Sequence, residues 1–189
     1  MPILELRSAT FCDAEKAIPP VTIALDDGER ADFLCDSGFA ASIVARLASG
    51  IVKCTTGTVF IGGFDPKIQP VQAKRLVGFV SHERFRTRCD PSAYFAYRAA
   101  LWEIEPSQAI ARGQALLKRF DGLPIDQSMA LAGALLHEPR LLVVDRPSQL
   151  LREAAEEAAS AAALFAVYGP GEIPALRPPS ELAVAEAMQ

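Results

Sequence analysis

The chain has 189 residues, half of them hydrophobic, and a formal net charge of -4 at pH 7. That balance excludes compositional disorder and a basic nucleic-acid-binding surface, so no nucleic-acid partner is expected. The length suits one domain with a sizeable core, expected over residues 1–176, followed by a Pro-rich tail at 177–189. No apolar run approaches the ~20 residues of a membrane span, and no basic segment leads into an apolar one at the N-terminus, so neither insertion nor export is expected.

Apolar and β-branched runs predict strands at residues 3–8 and 21–25, and Asp26-Asp27-Gly28 turns the chain into a third at 31–35. Residues 42–49 have helical spacing, with Ile43, Val44 and Leu47 on one side and Gly50 as the stop. A strand at 58–61 closes on Gly62-Gly63, and 76–80 is an apolar run of strand length. From Pro91 to Phe120 the pattern is helical and splits near Pro106, with Tyr94, Tyr97, Leu101 and Trp102 in one cluster and Ile110, Leu116, Leu117 and Phe120 in the next. This is a helical insertion over about 91–127.

Residues 128–136 predict a helix ended by His137-Glu138-Pro139. The continuous apolar run at 141–144 belongs to a strand buried on both faces, at a sheet's centre. An alanine-rich helix over 150–163 and a strand over 164–167 follow. Past Gly169 the prolines predict a loosely held segment with one helical turn near 181–188. Alternating strands and helices of this kind predict an α/β fold, with a mainly parallel sheet entered through antiparallel N-terminal strands.

Residues 35–42, Cys35-Asp36-Ser37-Gly38-Phe39-Ala40-Ala41-Ser42, sit between the third strand and the first helix, in the frame of a phosphate-binding loop. Such a loop wraps backbone N–H groups around phosphates, sends a lysine to the β/γ-phosphates and offers a hydroxyl to Mg²⁺. Gly38 and the hydroxyl of Ser42 remain, while Ala41 stands at the lysine position and Cys35 and Ala40 at glycine positions. Asp36 adds a negative charge. The four cysteines, Cys12, Cys35, Cys54 and Cys89, lack C-x-x-C spacing, and His82 and His137 are far apart, so no zinc site is expected and the thiols read as small buried apolar residues.

The order of these pieces, from about Leu4 to about Leu176, resembles the nucleotide-binding domain of ATP-binding cassette (ABC) transporters, a P-loop NTPase-like fold. The resemblance is carried by the DDGER turn, the GTVFIGGFDP hairpin, the RLVGFVSHE strand, the ALAGALLHEPRLLVVDRPS block and the LFAVYGPGEIPAL segment. On its own, Asp145 reads as the start of the next turn; the resemblance puts it at the Walker B position, where it would orient a water on Mg²⁺. Ser42 and Asp145 are then the metal positions if Mg²⁺ binds. Phe11 matches the aromatic residue that stacks adenine, a position where a strand-end phenylalanine also serves simple packing.

The resemblance also implies a series of replaced positions. Arg146 follows Asp145 where an acidic base is expected, and a guanidinium cannot act as a base. His82 takes the position of a glutamine, Tyr168 that of the switch histidine, and Arg152 that of a downstream aspartate. The L-S-G-G-Q signature falls on Gly122-Leu123-Pro124-Ile125-Asp126-Gln127, where an aspartate near a helix start caps it but repels phosphate. The last strands of the usual domain are expected to be missing, and Arg146 is expected to pair with Asp145 or another acid nearby.

The resulting expectation is a non-hydrolysing subunit or scaffold of an ABC transporter, cytoplasmic or peripheral at the inner face of a membrane. Its partners would be another ABC-type ATPase subunit, a transmembrane permease, or both. Mg-ATP binding is weak in this reading, at Phe11, Gly38, Ala41, Ser42, His82 and Asp145, and no catalytic residue is assigned. Two alternatives stand beside it: weak ATP binding or hydrolysis through a composite dimer site, and an oligomerising scaffold unrelated to transport, with the cluster around Tyr94, Tyr97 and Trp102 as its interface.

Overall fold

The computed structural model describes residues 1–83, 85 and 89–172, and the backbone of 182–184. Strands β1 (Leu4–Cys12), β2 (Ala17–Leu25) and β4 (Thr56–Ile61) form an antiparallel sheet in the order β2-β1-β4. Pro19 and Pro20 lie on β2, an edge strand, at the register shift between the Ala9–Val21 and Phe11–Ile18 pairs, where neither is paired with β1. Between β2 and β4 come β3 (Arg30–Leu34) and helix α1 (Gly38–Ala48).

The second sheet adds β5 (Val77–Val80), β6 (Leu141–Asp145), β7 (Ala163–Tyr168) and β8 (Leu182–Val184) to β3, in the order β5-β6-β7-β3-β8. Its pairings are parallel throughout. All five residues of β6 are buried, as the apolar run predicts, although β7 rather than β6 is the middle strand. β8 corrects the expectation for the tail: Leu182–Val184 is a strand on β3 rather than a helical turn, three apolar residues being enough for an edge rung. The remainder of the predicted helical turn lies outside the described residues.

Side chains alternate across this sheet. Leu141, Val143, Phe165 and Val167 join a core shared with α1 and the antiparallel sheet. Leu142, Val144 and Leu164 face a second core under the helices. α1 is therefore sandwiched between sheets, which is why six of its eleven residues are buried.

The second core is roofed by α3 (Pro91–Trp102), α4 (Pro106–Arg119), α5 (Ile125–Leu135) and α6 (Gln149–Ala158). A further short helix, α2 (Pro70–Arg75), precedes β5 and has no counterpart in the sequence reading. The alanine-rich helix stops at Ala158 rather than 163, because Ala162 and Ala163 are taken into the turn and β7.

The predicted aromatic cluster divides by helical phase. Tyr94 packs inward on Phe85 and Phe95, while Tyr97 and Leu101 are 64% and 52% exposed. Trp102 stacks on His137, with centroids 4.0 Å apart. The cysteines divide as well: Cys35 and Cys54 are buried, Cys12 and Cys89 exposed, so the reading of buried thiols holds for two of the four.

Burial pushes the His137 imidazole down to about 4, aided by the Arg98 charge and opposed by its bond to the Val77 carbonyl. Nε2 is 3.0 Å from that oxygen, so the neutral ring donates there. The unfolded chain binds the extra proton between about pH 6.5 and 4. Stability from this group is therefore complete above pH 6.5 and lost as pH falls toward 4, up to roughly 3 kcal/mol. Acid unfolding followed by the fluorescence of Trp102 checks this, and His137→Gln is expected to flatten the slope.

Candidate functional site

Parallel pairing brings the ends of three strands to one edge. Leu34 lies opposite Tyr168 and Asp145 opposite Val167, so the residues that follow emerge together, as ligand-facing loops do in open α/β sheets. The Cys35 N–H donates to the Tyr168 carbonyl at 2.9 Å and the Arg146 N–H to the Val167 carbonyl at 2.7 Å. Both loops are thereby fixed at their first residue.

α1 begins at Gly38, four residues before the predicted start, because Ser37 takes an extended backbone and its hydroxyl accepts from the Ala40 N–H at 3.1 Å. The first turn presents Ser42, whose hydroxyl donates to Asp145 Oδ1 at 3.1 Å. The other oxygen of Asp145 accepts from the His82 backbone N–H at 3.4 Å. His82 thus contributes its backbone, and its ring is exposed. Burial raises the pKa of the Asp145 carboxyl, opposed by the Ser42 and His82 bonds and by the charges of His82 and Arg146.

Gly38, Ser42, His82 and Asp145 therefore converge. Ala41 lies in the same turn and is fully buried. Phe11 stands elsewhere, half-buried on β1 and packed against the first core.

Arg146 has a left-handed backbone, φ 50°, a conformation costing roughly 1–2 kcal/mol for a side chain with a Cβ. Its guanidinium lies flat over Gly38: a Cβ on that glycine would fall 2.9 Å from both Cζ and Nη1. The partner of Arg146 is Glu172. Nε donates to both carboxylate oxygens at 2.9 Å and Nη2 adds a further bond to Oε1. The expected pairing with an acid is thus realised through Glu172, while Asp145 contributes only charge. This edge borders an open cleft of about 1030 Å³, whose walls include Ser81, His82, Asp126, Gln127, Arg146 and Glu172.

No family model matches the chain. Among curated proteins it is 24% identical over 147 residues to the ABC transporter ATP-binding protein NatA of Bacillus subtilis, covering 70% of this chain and 60% of that one. It is 27% identical over 153 residues to an energy-coupling factor transporter ATP-binding protein of Clostridium acetobutylicum, covering 71% and 54%. It is 32% identical over 149 residues to the sulfate/thiosulfate import ATP-binding protein CysA of Brucella suis, covering 69% and 41%. The ATP-binding subunit of an ABC transporter superposes with a TM-score of 0.68 at 15% identity, over 88% of this chain and 79% of that one. A dimeric ATP-binding cassette in a post-hydrolysis state with ADP and Pi gives 0.69 at 16%, over 87% of each chain. This chain is a relative of the ABC transporter ATP-binding domains. It spans between 41% and 60% of the length of the three curated relatives.

The remaining positions that the resemblance singles out make other contacts here. Tyr168, which the resemblance sets at the switch histidine, is fully buried, and its hydroxyl donates to Asp32 at 3.5 Å; burial pushes its pKa up. Arg152 is also buried and grips the two Asp32 oxygens at 3.0 and 3.3 Å. At the signature position, α5 starts after Pro124 without a side-chain cap, so Asp126 sits in the first turn rather than capping it. Asp32 and Glu172 are the residues that sequence reading misses. Their partners stand 120 and 26 residues away, and nothing local marks them.

Proposed function

We propose that this chain is a non-hydrolysing ABC-type ATP-binding-domain homologue, acting as a subunit or scaffold of an ABC transporter beside an ATPase subunit or a transmembrane permease. The observation that carries this reading is the Arg146 guanidinium held over Gly38 by Glu172. Phosphoryl transfer depends on positioning and on neutralising charge. At this edge the residue beside Asp145 is a cation that cannot take a proton, Ala41 brings no charge to the loop, and the tyrosine at the switch position is committed to Asp32.

The Ser42 hydroxyl and the Asp145 carboxylate are hard oxygen donors in contact, a pair that fits Mg²⁺. Bound there, the ion would neutralise phosphate charge. What the protein supplies is the placement of these two oxygens on α1 and β6, with the His82 amide orienting the carboxylate. This retained pair favours the second reading, weak Mg-ATP binding through a composite dimer site. Among the described residues no helix is long and apolar enough to cross a membrane, so a membrane link would run through a partner.

The test is co-purification with a permease and an ATPase encoded beside this chain, together with phosphate release by the purified chain. The expected outcome is a complex and no turnover. Failure to copurify or to alter the partner's activity refutes the proposal. Turnover that disappears in Ser42→Ala and Asp145→Asn moves the assignment to the second reading.

A further inference from the structure

The segment after β7 reads Gly169-Pro170-Gly171-Glu172. Proline in the second place and a glycine with φ 74° in the third are the requirements of a type II turn, and the Glu172 N–H closes it on the Gly169 carbonyl at 3.3 Å. The turn folds the Glu172 side chain back on its own start, where Oε2 accepts from the Gly169 N–H at 2.8 Å. A Cβ placed on Gly169 would lie 3.1 Å from that oxygen and 3.2 Å from both the N and Cα of Gly38. The carboxylate and the first amide of α1 therefore flank a single carbon-sized space. Arg146 and the Gly169 amide hold Glu172 below the usual carboxylate range, and its side chain is only 29% exposed.

We infer that the 169–172 turn is an autoinhibitory strap, in which the Glu172 carboxylate serves as an internal anion that occupies Arg146 and bars polyphosphate from the loop at Gly38. Two features favour a built contact over a chance surface pair. Arg146 has a left-handed backbone at the point where its N–H bonds the Val167 carbonyl, and its guanidinium meets the turn through three bonds to Glu172. Both close approaches, at Gly38 and at Gly169, are tighter than a side chain on either residue would leave undisturbed. The inference rests on reading this loop as that of an ATP-binding domain and is independent of whether the chain hydrolyses ATP.

The experiment measures pyrophosphate binding to the full chain at low ionic strength, by calorimetry and by the shift in melting temperature, for the unaltered protein, Glu172→Ala, Glu172→Gln and the double variant Arg146→Ala/Glu172→Ala. Glu172→Gln keeps the size of the side chain and carries the test if Glu172→Ala does not fold. Freeing one charged hydrogen bond on Arg146 is expected to tighten pyrophosphate by about tenfold to a hundredfold. The double variant is expected to lose that gain. Equal binding by the unaltered chain and both single variants overturns the strap, as does a gain that survives removal of Arg146. ATP turnover by the unaltered chain refutes the proposed function; the strap falls with it only if Glu172→Gln leaves that turnover unchanged.

Discussion

Arg152→Ala is expected to lower stability by about 3–5 kcal/mol, the cost of removing one partner of a buried ion pair. Arg152 and Asp32 are 5% and 6% exposed, so water does not replace the lost guanidinium. The contact is two-pronged, at 3.0 and 3.3 Å, and Nη1 reaches Glu156 at 2.6 Å. Arg152→Lys is expected to recover only part of the loss, since an ammonium cannot match both carboxylate oxygens. Urea unfolding decides the matter: the midpoint should fall with the slope unchanged. Removing Asp32 as well should cost less than the sum of the single changes, because the two residues act through one contact. A loss under 1 kcal/mol would mean that solvent enters beneath α6. The pair joins α6 to β3 and so fastens a helix to the sheet.

Local pattern reveals the skeleton of the parallel sheet because β5, β6 and β7 are short and almost wholly apolar. The run at 141–144 could serve only as an interior strand, and β6 is buried at every residue. The loop between β3 and α1 is legible from Gly38 and Ser42 in their spacing, whereas the arrival of Asp145 beside it follows only from the family resemblance. The start of α1 was misplaced because the cap at Ser37 is a backbone event that periodicity does not sense. The tail was misread for a similar reason: prolines signal irregular chain, yet three residues suffice to pair with β3.

The acids that complete the ion pairs are beyond the reach of local pattern, even where, as at Arg146, a pairing is expected. Asp32 sits in ADFLC as an ordinary alternation, and only the parallel register places Tyr168 near it and α6 above it. Glu172 follows a turn whose chemistry is plain, but its target lies on another strand. Spacing of four along α3 separates Tyr94, Arg98 and Trp102 from Tyr97 and Leu101, which explains why one apparent cluster is two faces.

Phe165→Ala is expected to cost about 3–5 kcal/mol, the range for deleting a large aromatic side chain from a packed core. Phe165 is fully buried at the middle of β7, with Ala31 and Val143 beside it on the neighbouring strands. Its ring lies against Phe33, centroids 6.1 Å apart and tilted by 44°, a geometry that contributes about 0.5–1.5 kcal/mol beyond area alone. Alanine would leave a void between α1 and the sheet that β7 cannot close, since both its edges are hydrogen-bonded. Phe165→Leu, which keeps most of the volume, is expected to cost less than about 1.5 kcal/mol. The consequence reaches the site, because β7 ends at Tyr168 and its last rungs hold the amides of Cys35 and Arg146. Hydrogen exchange at those two amides should quicken in Phe165→Ala before the whole chain unfolds. If they exchange only with global unfolding, the loop edge is held by Arg146 and Glu172 rather than by the core beneath it.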